Sequence, residues 1–363
     1  MIRPVLAPIP LASPALFLAL TWRNGGVDWR RLPVFGGLLL RYTAADPVRL
    51  LQHVVYNRAI EQHALSEDPI FVIGHWRSGT SWLQALLALD PRFTTTTLYN
   101  TLFADISELT EGWLKPAMNA TARMLGMPHN LQRAPLHLDL PGEGDVGLYC
   151  QLSPYAYTWG HIFPRHFEQW LDRCVLSPSP QTTTAWLAHL DRYLRKLSLA
   201  SGGKRVVMKS PGDTGRIALL ARAYPNAKFV FIHRDPIAVF HSNRYLWGVI
   251  RSEFSVQTLD DAHVDGIIER TYAALMRNYI DQRDAVGPGQ LVEVSFEDLR
   301  THPEQGLAGI YEALDLGPLP DSLASALAEQ PAYSSPSYET PVELQQHLRE
   351  VWGFAFDEWR SDP

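Results

Sequence analysis

IFVIGHWRSGTSW, residues 70–82, reads as a strand that runs into a glycine-bounded loop and then into a helix, which the apolar run from Leu83 to Leu89 continues. The spacing Gly74-x-x-x-x-Gly79 is that of a nucleotide phosphate loop, in which backbone N–H groups and the positive end of the helix surround phosphate oxygens. In such loops a lysine after the second glycine reaches the β and γ phosphates and the next hydroxyl holds Mg²⁺. Here Thr80 takes the lysine's place, and the loop's only cation is Arg77. That makes a poor seat for a triphosphate and its metal. A guanidinium fork inside the loop suits a shorter anion. The other reading is a simple glycine turn with Arg77 in water.

Outward from this stretch, short apolar runs stand at Arg205 to Met208, Lys228 to Ile232 and Leu291 to Val294. Each is nearly continuous, as expected of strands covered on both faces. Between them lie helical stripes. Trp186, Leu190, Leu194 and Leu197 form one, stopped by Gly202 and Gly203, and Ile268, Tyr272, Leu275, Met276, Tyr279 and Ile280 form another. Strands alternating with helices predict a parallel sheet with ligands at the carboxyl ends of its strands. The expected fold is a three-layer α/β/α sandwich with a central parallel sheet and helical insertions. Residues 1–66 are expected as a helical N-terminal extension and 67–363 as the main domain, with 97–184 a helical and loop insertion over the site.

Two further strand ends carry cations. Lys209 closes RVVMK and precedes Ser210-Pro211-Gly212-Asp213-Thr214, and Arg234 follows KFVFIH. Pro236 suits the first turn of a helix, so Arg234 falls at the strand end and Ser242 about two turns into the helix, where both can reach one anion. Alternatively Arg234 pairs with Asp235 or Asp213 and Ser242 only packs.

At this point the chain resembles the sulfotransferases that use 3'-phosphoadenylyl sulfate (PAPS), and within them bacterial members built on the phosphate-loop nucleotide-hydrolase-like fold. The motif Arg77-Ser-Gly-Thr-Ser-Trp82 is similar to that family's 5'-phosphosulfate loop, and Arg234 with Ser242 to its 3'-phosphate pair. The resemblance runs from about Ile70 onward and implies a transferase of class EC 2.8.2.-. It implies that Arg77, Ser78, Gly79, Thr80 and Ser81 hold the 5'-phosphosulfate, that Arg234 and Ser242 hold the 3'-phosphate, and that Trp82 and Phe296 lie by adenine. Lys209 matches a lysine near the transferring group, where a cation stabilises charge developing on the leaving phosphate. No metal is implied.

One departure matters. The catalytic histidine of cytosolic members falls on Pro211, and Phe93-Thr-Thr-Thr-Thr97 offers no carboxylate in its stead. The acidic P-x-E-D-E motif of bacterial members is matched in part by Pro141-Gly-Glu143-Gly-Asp145. Glu143 is therefore the first candidate for the base, with Asp145 and His75 behind it and His137 and His161 as rivals. A helix-terminal carboxylate is the alternative role for Glu143. A phosphate-loop kinase acting on a small molecule, or an inactive protein that binds PAP (the desulfated donor) or PAPS, is the competing reading of the whole chain.

The acceptor is expected to be a small, hydroxylated and fairly hydrophobic molecule. Trp113, Tyr155, Tyr157, Trp159, Phe163 and Trp170 in the covering segment would suit an apolar pocket, although most could be core. A chain of 363 residues with 32 Lys and Arg against 38 Asp and Glu, hence a charge of −6, is no nucleic-acid coat. Two cysteines, Cys150 and Cys174, are too few for a disulfide framework or a zinc site, which points to a reducing, cytoplasmic setting. The apolar stretch from Val5 to Trp22 is broken by Pro4, Pro8, Pro10 and Pro14, so no membrane span is expected, and shallow peripheral membrane contact is the minor option.

Overall fold

The structure is a computed structural model that describes residues 13–129, 134–150, 153–321, 323, 327 and 338–359. The prolines at positions 4, 8 and 10 fall outside that range. The strands of the main sheet are β1 (Ile70–Ile73), β2 (Phe93–Thr95), β3 (Arg205–Lys209), β4 (Lys228–His233) and β5 (Leu291–Ser295). The helices used below are α1 (Ser13–Arg23), α2 (Leu32–Gln62), α3 (Thr80–Leu87), α4 (Ser107–Met124), α5 (Gly144–Cys150), α6 (Pro180–Ala200), α7 (Pro236–Glu253) and α8 (Asp261–Gln282). The chain divides into two compact units, one of residues 1–65, 96–203 and 246–263, the other of 66–95, 204–245 and 264–363.

The second unit holds the sheet, ordered β2-β3-β1-β4-β5 with every pairing parallel. β1 is apolar and buried at every position, and the middles of β3 and β4 likewise, because both faces are covered there. Ile70 and Val72 point into one layer with Leu83, Leu86 and Leu87 of α3 and with Phe296, Leu307 and Ile310. Phe71 points the other way, onto Phe229 and Tyr224, and Phe231 stacks on Tyr279 of α8 at 3.9 Å between ring centres. This is the three-layer α/β/α arrangement read from the alternation. The sequence reading did not include β2, a three-residue edge strand paired to Arg205, Val206 and Val207.

Among the described residues the first unit is mainly helical, with a two-residue ladder between Pro128–His129 and Ala134–Pro135 and a single bridge between Thr97 and Pro141. The stripe expected around Trp186 is the buried face of α6, and Gly202 and Gly203 follow its end with φ of 76° and 90°. Phe17 of α1 packs on Tyr42 of α2 and on Trp159. Charged groups also tie the helices together. Arg49 of α2 pairs with Asp46 and with Asp105, and Lys196 of α6 with Glu108 of α4 at 2.8 Å. A buried charge is tolerated only when paired in this way. Cys150 and Cys174 are both buried thiols, and burial pushes the Cys150 thiol up to about 12.

Candidate active site

The loop between β1 and α3 is shaped by close approach. At Gly74, φ is 144°, and a side-chain carbon there would lie 2.4 Å from the Ile232 carbonyl oxygen of β4. At Gly79, φ is 107°, and a methyl would meet the Phe296 ring at 2.4 Å. Both positions exclude any side chain. Thr214 clips the start of the loop, receiving the Gly74 N–H at 2.8 Å and donating its hydroxyl to the Gly74 carbonyl at 3.0 Å. Asn243 holds the middle by donating to the Trp76 carbonyl at 3.0 Å.

Within this frame Arg77 has a left-handed backbone, φ 72°, a conformation that costs a non-glycine residue on the order of 1–3 kcal/mol and collects at functional sites. Its Nε donates to Ser242 Oγ at 2.9 Å, and Arg234 donates to the Arg77 carbonyl at 3.2 Å. The Arg234 guanidinium lies over the Phe296 ring at 4.6 Å, and Trp82 meets that ring edge to face at 5.9 Å. The register explains the meeting. His233 of β4 pairs with Ser295 of β5, so Arg234 and Phe296 leave adjacent strands side by side. Lys209, 1% exposed, ends β3 opposite Val72 of β1. Ser78 Oγ is buried with no hydrogen-bond partner among the described residues. Thr80 and Ser81 open α3, where the first amides of a helix precede its hydrogen-bond ladder, while the Trp82 N–H donates to the Gly79 carbonyl at 3.0 Å.

Both acids named as alternative partners of Arg234 have contacts of their own. Asp213 pairs with Arg216 at 3.0 Å, both fully buried, and Asp235 caps α7 by accepting from the Ala238 N–H at 2.7 Å. His75 donates from Nδ1 to the Trp76 carbonyl at 3.0 Å and rests against Tyr272, while Nε2 has no partner among the described residues. Burial lowers its pKa to about 3, so the ring is neutral.

In the first unit, the acidic segment is anchored by a β-bridge between Thr97 and Pro141 and by the Thr96 hydroxyl on the Gly142 carbonyl at 3.0 Å. Glu143, half-buried, precedes α5, and its carbonyl accepts the Gly147 N–H. Asp145 is buried and accepts from the Trp186 indole at 3.4 Å. His161 is packed on the rings of Phe167, Tyr157 and Trp247. That burial lowers its pKa to about 4, against the opposing pull of the Glu143 carboxylate. His137 is exposed and bonded to Asp139. Tyr157, Trp159, Phe163 and Trp170 are core residues, whereas Trp113 faces solvent.

Sequence reasoning missed the positioning residues Thr214 and Asn243, which act on the loop's backbone and leave no spacing signature. It also missed the nearness of His161 to Glu143, residues separated by a turn and a short helix. Among the described residues no group of three or more His, Cys, Asp or Glu comes together as a metal site.

A model of the sulfotransferase family matches residues 69–321. Relatives include the omega-hydroxy-beta-dihydromenaquinone-9 sulfotransferases Stf3 of Mycobacterium bovis and Mycobacterium tuberculosis, each 30% identical over 323 residues, 86% of this chain and 80% of the relative. The fold is similar to sulfotransferase STF1 from Mycobacterium tuberculosis H37Rv, with a TM-score of 0.70, 19% identity, and coverage of 95% of this chain and 92% of that one. It is also similar to STF9 from Mycobacterium avium, with a TM-score of 0.69 at 18% identity and 96% coverage of both chains. With the phosphate loop, its internal arginine and the family model all on the same stretch, the chain belongs to the sulfotransferase family and is a sulfuryl-transferring enzyme.

Proposed function

We propose that the enzyme moves the sulfuryl group of PAPS to a hydroxyl of a small, hydrophobic, lipid-like acceptor, giving a sulfate ester and PAP. The observation that carries this reading is the meeting of Arg77, Ser242 and Arg234 around one glycine-bounded loop. The residues suit the donor. Arg77, Ser78 and Gly79, with Thr80 and Ser81 at the helix start, offer a fork, a buried hydroxyl and backbone amides to a phosphosulfate. Arg234 and Ser242 supply a second anion subsite for the 3'-phosphate, and Phe296 and Trp82 offer apolar faces to adenine.

The acceptor oxygen attacks sulfur in line with the sulfur–oxygen bond to the 5'-phosphate, that bond breaks, and the electron pair leaves with PAP. Arg77 and Lys209 stabilise the departing charge, and Glu143 takes the acceptor proton. With a pKa of about 3, His75 is a weak base and is better placed to shape the loop. Asp145, bonded to Trp186, stands behind Glu143 as an anchor of α5. The acceptor class is supported by the name of the relative, which acts on an omega-hydroxylated dihydromenaquinone.

A subsite experiment tests the donor assignment. Arg234→Ala should weaken PAP by about tenfold to a hundredfold, the usual loss for a charge-assisted hydrogen bond, and adenosine 5'-phosphosulfate far less, because that nucleotide lacks the 3'-phosphate. Equal losses for both nucleotides in a titration would remove Arg234 from this contact.

A further inference from the structure

Helix α2 is built inside out. Its buried positions include Asp46, Arg49 and Gln52, and Gln52 donates to the Asp105 carbonyl at 2.9 Å. Its outward positions recur every three to four residues along nearly the whole helix. From Leu32 to Val55 none of those exposed positions carries a charge. Leu40, Leu50, Leu51, Val54 and Val55 stand on that face, with Leu40 69% and Val54 72% exposed. At 1.5 Å per residue, the uncharged stripe is about 35 Å long. A surface helix of a soluble protein shows the reverse pattern, and a contiguous exposed apolar face of this length marks a contact surface.

The end of the stripe names the contact. Trp22, at the end of α1, and Trp29, just before α2, are 87% and 74% exposed, next to Arg23, Arg30 and Arg31. The Arg30 guanidinium lies over the Trp29 ring at 5.1 Å. The nearby acid, Asp28, is paired with Arg165 and bonded to Thr258. Residues 13–58 carry six arginines against two aspartates, although the whole chain is acidic. Indole rings beside arginines at the edge of an apolar helical face suit the boundary between anionic headgroups and acyl chains. A protein partner would want hydrogen-bonding groups across such a face. Its polar side chain Thr43 is bonded back to its own helix. Among the described residues, every large exposed aliphatic, Met, Phe or Trp side chain except Val342 belongs to this first unit.

We propose that the outward face of α2, with the Trp22 to Arg31 tip, lies flat on a lipid bilayer bearing anionic headgroups. The attachment is interfacial. No described helix is long and apolar enough to cross a membrane. Nothing in this inference depends on the donor assignment.

Co-sedimentation of the full chain with vesicles of phosphatidylcholine, with and without phosphatidylglycerol, tests it. The chain should pellet with the phosphatidylglycerol vesicles, and brominated lipid should quench its tryptophan emission. The double variant Leu40→Glu/Val54→Glu, at two exposed positions, should bind those vesicles at least about tenfold more weakly, because charge in the boundary region opposes apolar burial. It should retain wild-type PAP binding and circular dichroism. Arg23→Glu/Arg30→Glu should lose the preference for phosphatidylglycerol. Wild-type protein that stays in the supernatant, or a Leu40→Glu/Val54→Glu variant that binds like wild type, would overturn the proposal. So would a wild-type dimer that the same double variant dissociates, which would assign the face to a second copy of the chain.

Discussion

Arg77→Ala should lower kcat/KM for PAPS by about 10² to 10³ fold, the range for loss of one preorganised donor to a charge that develops in the transition state. Arg77 is the only cation in the loop, and its guanidinium is held by Ser242 on α7. Alanine removes the fork and leaves the left-handed backbone to Gly74, Thr214 and Asn243, so the thermal midpoint should move little. Arg77→Lys should recover part of the rate, since it restores a point charge but no bidentate geometry. Steady-state kinetics with PAPS as the varied substrate, alongside thermal unfolding, separates the effects. A loss of rate under about threefold would take Arg77 out of the transition state, whatever its effect on stability.

Glu143→Gln should reduce turnover by about 10² to 10⁴ fold while PAP binding stays as in wild type. The amide keeps the size of the carboxylate and removes its negative charge and its ability to take a proton. The Gly147 N–H bond survives the change, because the backbone carbonyl of residue 143 accepts it. His161 sets the lower pH limit of that experiment. Its pKa is about 4 in the fold against the ordinary 6.5. Below the ordinary value the unfolded chain takes up a proton that the folded chain does not, so stability declines as pH falls from about 6.5 to 4. Rates should be read above that window. Near-normal turnover of Glu143→Gln would pass the base to a histidine.

What the sequence disclosed follows from how each feature is made. The four longer sheet strands carry near-continuous apolar runs, with β1 and the middles of β3 and β4 fully buried, and so are visible without any partner. The loop is visible because two glycines are demanded by contacts with Ile232 and Phe296 that no other residue can make. Arg234 and Ser242 could be placed because Pro236 opens α7. By contrast β2 is three residues long and reads FTT, with too few positions for a period. The buried face of α2 was hidden because Arg49 and Asp46 resemble surface residues until Asp105, more than fifty residues away in sequence, completes the ion pairs. Pro47 lies within the same helix and carries the usual signal of a helix break. Thr214 and Asn243 escaped for a third reason, that a side chain serving a distant backbone group imposes no pattern on its neighbours.

Isothermal calorimetry of PAP titrated into the intact protein bears most directly on the donor site. Saturable one-to-one binding is expected, needing no divalent metal and weakened by Arg234→Ala. Absence of heat at millimolar PAP, or saturable binding of Mg-ATP in its place, would contradict it.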